Sequence, residues 1–235
     1  MGTVTNLREI VPEALKKQDR RRAPETAARI LDAAESLFSV RGYHGVSLRD
    51  IAAEAGVQVA LTHYHFGSKE DLFRSVIERR ADEHALGIST ALEQAKTVTG
   101  TRETRRQAVI RSFFAPIVEK SMRGGQGWKN YVRLLALVAN MPQEDESVSA
   151  FRQSYDALIA SYIEVLRTID PEMDEQDVHW CFFFLQAAIT HILVESKMLD
   201  RQSGGSLQSS DLDAMIEKLV AFFGAGFRGL GARED

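Results

Sequence analysis

The chain has one cysteine, Cys181, in 235 residues, so no disulfide can close within it, and the thiol fits a small buried hydrophobe in a reducing cytoplasm. Long hydrophobic runs are also lacking. The N-terminus carries no signal-peptide core, and the longest apolar-rich stretch, Trp180 to Val194, has 15 residues and is interrupted by Gln186, Thr190 and His191. That is too short to span a bilayer, so no membrane partner is expected. Catalytic signatures are missing as well: there is no phosphate-binding P-loop, no Gly-x-Ser-x-Gly, no His-Glu-x-x-His and no glycine-rich dinucleotide turn. His63 and His65 lie two apart, roughly 200° around a helix, and cannot hold one metal from one face. Asp177 and Cys181 have chelate spacing but stand in an apolar run, where a solvated carboxylate and a buried thiol are the simpler reading. No enzyme activity, cofactor or metal is expected.

Strand-like alternation is nearly absent too. From Pro24 onward apolar residues recur at helical spacing, as with Ile30, Ala34, Leu37 and Phe38. Capping-box spacing marks three starts, Ser47 to Asp50, Ser68 to Asp71 and Ser210 to Asp213. Beyond the first 68 residues helices are expected over 69–97, 103–122, 127–141, 145–168, 172–200 and 211–229. Breaks fall at Gly100, Gly124-Gly125, Pro142, Asp170-Pro171 and the Gly- and Ser-rich loop 202–210. The fold class is all-α: a three-helix helix-turn-helix head followed by a six-helix body. Residues 1–23 read as a flexible basic arm, suited to a DNA backbone or minor groove and equally to a solvated tail. Residues 24–70 are expected to form the head and 71–235 the body.

Net charge is −4, which argues against coating nucleic acid by bulk charge. The balance is uneven, however. Residues 1–80 hold 13 Lys and Arg against 11 Asp and Glu, and the remainder 16 against 22.

The segment Ser47-Leu48-Arg49-Asp50-Ile51-Ala52-Ala53-Glu54-Ala55-Gly56-Val57, running into His63-Tyr64-His65-Phe66-Gly67-Ser68-Lys69-Glu70, reads as two short helices joined by a tight turn. Ile51, Ala52 and Ala55 supply an apolar face, and Gly56 the positive φ that the turn needs. Upstream, Thr26 to Phe38 and then Arg41-Gly42-Tyr43 supply a preceding helix and its glycine stop. From Thr26 to Phe73 this pattern resembles the DNA-binding head of TetR/AcrR-family transcriptional regulators. The commoner family pattern has Thr-Leu-Tyr where this chain has Leu61, Thr62 and His63, and a helix-starting Ser where it has Gln58. Those changes lie on or beside the reading surface, so no operator sequence carries over.

If the second helix of the motif spans Gln58 to Phe66, then Val57, Leu61, Thr62 and Phe66 turn inward, and Gln58, Val59, Ala60 and His63 face a major groove. Gln58 suits an adenine edge, Val59 and Ala60 thymine methyls, His63 a base or phosphate, and Arg49 a guanine. Ser47 and Ser68 open helices whose free N–H groups favour phosphate, with Lys69 adding a full charge. The resemblance implies the same role for Ser47, Tyr64, His65 and Lys69; Tyr64 and His65 also suit partial burial at the joint to the next helix. A single head makes few contacts, so a homodimer on a double-stranded, palindromic DNA operator is expected.

In the body, Val178, Phe182, Leu185, Ile189 and Ile192 mark one apolar face, and Met215, Leu219, Phe223 and Phe227 another stripe. Apolar surface on several faces calls for several partners, and the resemblance implies that the last two helices pair with their copies. Closing the monomer core is the other use for them. Phe113, Phe114, Ile117, Trp128, Tyr131, Leu135, Phe151 and Tyr155, with Phe183, Phe184, Ala187 and His191, are the candidate contacts of a small apolar effector, with Tyr131, Tyr155, Gln186, Thr190 and His191 as polar tips. Asp177 to Phe184 resembles the fatty-acid-responsive branch of the family. The expected function is a homodimeric repressor released from its operator by effector. An effector-independent DNA binder, an all-α enzyme and an interaction scaffold are the alternatives.

Overall fold

The structure is a computed structural model that describes residues 13–141, 148–194 and 197–231. Three helices form the head: α1 (Glu13–Arg41), α2 (Leu48–Glu54) and α3 (Val59–Phe66). Ile30, Ala34 and Phe38 recur on one face of α1 and bury against Ile51 of α2 and against Leu72, Phe73 and Val76 at the start of α4 (Lys69–Lys96). The Phe38 and Phe73 rings meet edge to face at 5.1 Å. Gly42, at φ +68, ends α1 with its N–H on the Phe38 carbonyl.

α1 begins at Glu13, not at Pro24, which sits inside it. The stretch from Glu13 to Ala23 is built mostly from strong helix formers, and an internal proline keeps a helical φ while removing one hydrogen bond. The second half of the expected arm is therefore helix. Residues 1–12 of that arm lie outside the described residues.

The body comprises α4, α5 (Arg102–Arg123), α6 (Gly125–Val138), α7 (Ser149–Ile169), α8 (Glu175–Leu193), α9 (Met198–Gln202) and α10 (Leu212–Gly231). The six helices read from periodicity are all there. The described residues add a seventh, α9, because Lys197 takes a left-handed φ of 49 and interrupts the helix expected over 172–200. Breaks fall at Gly100 and Gly125, both at positive φ. Pro142 and the expected helix start at 145 lie outside the described residues. The expected Ser210 to Asp213 box is not the cap of α10: the Asp211 carboxylate accepts the Ala214 N–H at 3.1 Å instead.

One apolar core runs through α4, α5, α6, α7, α8 and α10, centred on residues such as Phe114, Tyr162, Phe182 and Phe227. A deep ion pair in it is bidentate: Arg106 of α5 donates twice to Asp170, at 2.7 Å each, and pins the end of α7. Tyr131 and Tyr162 donate to the Ile77 and Ile88 carbonyls and tie the backbone of α4 to α6 and α7. The head has its own core, but Leu134 and Val138 of α6 and Val148 belong to it. Thus α4 and α6 each run through both cores. Among the described residues, no helix is long and apolar enough to cross a membrane.

Candidate functional site

Gly56 stands at φ +62 between α2 and α3, and the Val57 N–H closes the turn on the Ala52 carbonyl at 2.9 Å. Arg29 of α1 braces it from behind, its guanidinium donating to the Ala55 carbonyl and, at 3.1 Å, to the Gly56 carbonyl. A side chain of α1 thereby holds the turn that leads into α3.

α3 turns Thr62 fully inward, with Val57 and Phe66 half-buried, and exposes Gln58, Ala60, His63 and Tyr64. Val59 is half-buried. Leu61, expected inside, is 40% exposed. An eight-residue helix buries one narrow stripe, here Val59, Thr62 and Phe66 at spacings of three and four, and Leu61 stands about 100° off it. The Thr62 hydroxyl has no hydrogen-bond partner among the described residues. Tyr64, at 81% exposure, is not buried at the joint; His65 is half-buried. His63 Nδ1 donates to the Gly67 carbonyl at 2.9 Å, which in the neutral ring leaves Nε2 as an acceptor on this exposed side chain.

Both flanking helix starts are reciprocal capping boxes. The Asp50 N–H donates to Ser47 Oγ at 3.2 Å and the Ser47 N–H to the Asp50 carboxylate at 2.8 Å; Ser68 and Asp71 repeat the pattern. Hydrogen bonds from the two serines hold both carboxyls below the usual aspartate range. Those N-termini therefore already face a carboxylate, and the N–H groups expected to be free for phosphate are partly taken. Full positive charge at this surface comes from exposed Arg49 and from Lys69, whose Nζ lies 4.2 Å from the centre of the Tyr43 ring.

A cavity of about 180 Å³ lies inside the body, walled by α4, α5, α6, α7 and α8. Phe113, Ile117, Leu135, Phe151 and Tyr155, all expected effector contacts, line it, as do Gln186 and Thr190. His84 and Ile88 bring α4 to its wall, and Leu135, Ala136, Val138 and Ala139 bring the end of α6. A second, wider groove of about 1180 Å³ lies between α10, α9 and the ends of α5 and α8, and includes His191.

Comparison with known proteins decides the family. Residues 30–76 match the family described as bacterial regulatory proteins, tetR family, and residues 111–226 match the tetracyclin repressor-like C-terminal domain. The chain belongs to the TetR family of transcriptional regulators. It is 36% identical over 90 residues to the HTH-type transcriptional activator FasR of Mycolicibacterium smegmatis, covering 38% of this chain and 39% of that protein. It is 45% identical over 64 residues to the HTH-type transcriptional repressor Rv3405c of Mycobacterium tuberculosis, covering 26% of this chain and 34% of that protein. The chain thus spans little more than a third of the length of these curated relatives. The structure of the ketosteroid transcriptional regulator KstR2 of Mycobacterium tuberculosis superposes with a TM-score of 0.60 at 18% identity, over 85% of this chain and 93% of that one. FadR of Bacillus subtilis in complex with stearoyl-CoA does so at 0.50 and 19%, over 85% and 98%. At these identities the likeness is one of fold.

Within this TetR-family fold the body residues sort differently from the sequence expectation. Phe114, Trp128 and Tyr131 are buried core away from the cavity. Phe183, Phe184, Ala187 and His191, expected at the effector, are exposed on the outside of α8. Conversely Val178, Phe182, Leu185, Ile189, Phe223 and Phe227, expected at the dimer interface, are buried within the single chain and have no surface to offer a partner. Ile192, Met215 and Leu219 are half-buried. The two apolar faces of α8 are alike in composition, so periodicity separates them without saying which is inside. The outer face stacks its rings: Trp180 lies 5.6 Å from Phe184 at 28° and 6.0 Å from Phe183 at 85°. Phe222 of α10 is exposed as well.

In the sequence, two residues of the site give little sign of their place. Arg29 reads as one more charge on a helix, with no local sign of its reach to Gly56. His84 carries a sign: it falls seven after Ile77 and four before Ile88, a lone histidine on the buried stripe of α4.

Proposed function

We propose that this chain is a DNA-binding repressor that acts as a homodimer on an approximate palindrome and is released by a small effector held in the cavity of about 180 Å³. The observation that carries the reading is the geometry of α3: one narrow stripe buried, the rest of an eight-residue helix presented outward, and the turn that leads into it held by Gly56 and Arg29. Gln58, Ala60 and His63 then read bases together with Arg49, while half-buried Val59 packs on the inner stripe instead of facing the groove as expected, and Tyr64, His65 and Lys69, with Ser47 at the start of α2, serve the backbone.

The dimer forms through the outer face of α8 and through α10, where Trp180, Phe183, Phe184 and Phe222 make an apolar surface that a monomer would leave in water. Pairing these helices with their copies gives a four-helix bundle and sets the separation of the two heads.

Effector acts through α4 and α6. Both line the cavity, and both pack in the head core through Leu72, Phe73 and Val76 of α4 and Leu134 and Val138 of α6. A ligand that favours one arrangement of these helices shifts the heads by its differential affinity alone. A coupling of about 1–3 kcal/mol corresponds to roughly 5–150-fold in DNA affinity. A relative named as a repressor supports repression of transcription by this chain, and a relative named as an activator supports the opposite effect on transcription.

The test is sedimentation equilibrium paired with DNA binding. Dimers are expected for the native chain, and monomers with lost specific binding for Phe183→Glu with Phe184→Glu. A variant that stays dimeric and binds normally removes this face from the mechanism.

A further inference from the structure

One wall residue of the inner cavity carries a buried nitrogen that no described residue satisfies. His84 is 7% exposed, lines the cavity beside Ile88, and its Nε2 is buried without a hydrogen-bond partner among the described residues. Burial pushes the ring pKa down to about 4, so the imidazole is neutral at physiological pH. A buried, unpartnered imidazole nitrogen is costly, and a ligand that supplies the missing partner relieves that cost where an apolar ligand of equal shape does not.

The remaining wall limits what such a ligand is. Phe151 and Tyr155 stack at 5.9 Å and 17° and, with Phe113, offer aromatic faces. Arg152 and Asp156 also line the cavity, but they are of opposite sign, and Arg152 already donates to the Met141 carbonyl at 3.0 Å. Nothing there favours a net charge. A volume of about 180 Å³ is close to the roughly 150 Å³ that encloses one benzene and below the roughly 300–1,000 Å³ of drug-sized sites.

We propose that the cavity takes a neutral molecule of about one ring in size bearing a single hydroxyl or carbonyl, and that His84 Nε2 is the group that anchors it. The proposal rests on reading this cavity as the effector site and narrows it. A long acyl chain does not fit the cavity in this shape. His84 is on α4, so the anchoring bond is made on a helix that also packs in the head core.

The experiment is calorimetric titration of the full-length protein with phenol and with benzene, on the native chain and on His84→Leu. Phenol is expected to bind about tenfold more tightly than benzene, and the variant to bind both about equally. Labelling histidine with ¹⁵N in the native chain gives a second readout that needs no variant: phenol should shift the His84 Nε2 resonance and benzene should not. Equal affinities in the native chain, a preference that survives His84→Leu, an unmoved resonance, or no binding of either probe overturns the proposal. Release from DNA by a long-chain fatty acid without phenol binding overturns the ring-sized ligand but leaves the effector reading standing. Phenol binding through His84 with no change in DNA affinity upholds the anchor and sinks the effector reading.

Discussion

The Glu35 carboxylate of α1 accepts a hydrogen bond from Arg80 Nε of α4 at 3.3 Å, with Glu35 only 1% exposed. The Arg80 guanidinium also lies 5.2 Å from the ring centre of Trp128 on α6, so one side chain joins the head to both transmitting helices. Burial raises the Glu35 pKa despite the pull of Arg80, which shows how much desolvation this contact carries. Glu35→Ala leaves Arg80 partly buried without its partner and is expected to cost about 2 kcal/mol, less than a wholly buried pair because the arginine keeps some solvent. Glu35→Gln keeps an acceptor and should lose less. Urea denaturation of both variants checks the order.

Stability should fall in mild acid through His84. The histidine of the unfolded chain titrates near 6.5 and the folded one near 4. Between those values the unfolded state holds the proton and the folded state does not, so stability rises with pH across the window and is lost as pH drops. The full difference is about 3 kcal/mol. Chemical denaturation at pH 7 and pH 4 should show this loss in the native chain, and His84→Leu should remove that share of it.

The turn of the head offers a prediction that involves no DNA-facing side chain. At Gly56, φ +62 disfavours any residue with a Cβ, and an added Cβ would lie 3.1 Å from Arg29 Nη2. Gly56→Ala should cost about 1–2 kcal/mol. Arg29→Ala, which keeps the glycine, should share its effect on DNA. Both should weaken specific binding in fluorescence anisotropy while circular dichroism stays helical.

Leu61 should help choose the operator. With Ala60 it makes an apolar patch on α3, suited to thymine methyl groups. Replacing a contacted thymine by deoxyuridine deletes one methyl and should cost about 0.8 kcal/mol, near fourfold in affinity. In Leu61→Ala the penalty should shrink at one position of each half-site. Equal affinity for both bases throughout the selected site would remove Leu61 from base reading.

Much of this was legible from residue spacing. Gly42 and Gly56, the caps at Ser47 and Ser68 and the breaks at Gly100 and Gly125 declare themselves because each answers a local backbone need. Long-range facts do not. Leu61 and Thr62 differ by one step around a short helix, and only packing against α1 and α4 tells which is inside. The two faces of α8 are equally apolar, so the side facing the core waits on where α5, α7 and α10 lie. Pro24 misled because proline more often opens a helix than sits within one. His84 shows the opposite case: its place on the stripe of α4 is plain, and its missing partner is visible only in three dimensions.

Selection of duplex fragments from a genomic library by the purified protein at near-physiological salt, followed by footprinting of the enriched sequence, bears most directly on the proposed function. A protected approximate palindrome, with half-sites about one helical turn or somewhat more apart, is the expected result. Enrichment no stronger than salt-dependent non-specific binding would contradict a dimeric, sequence-reading regulator.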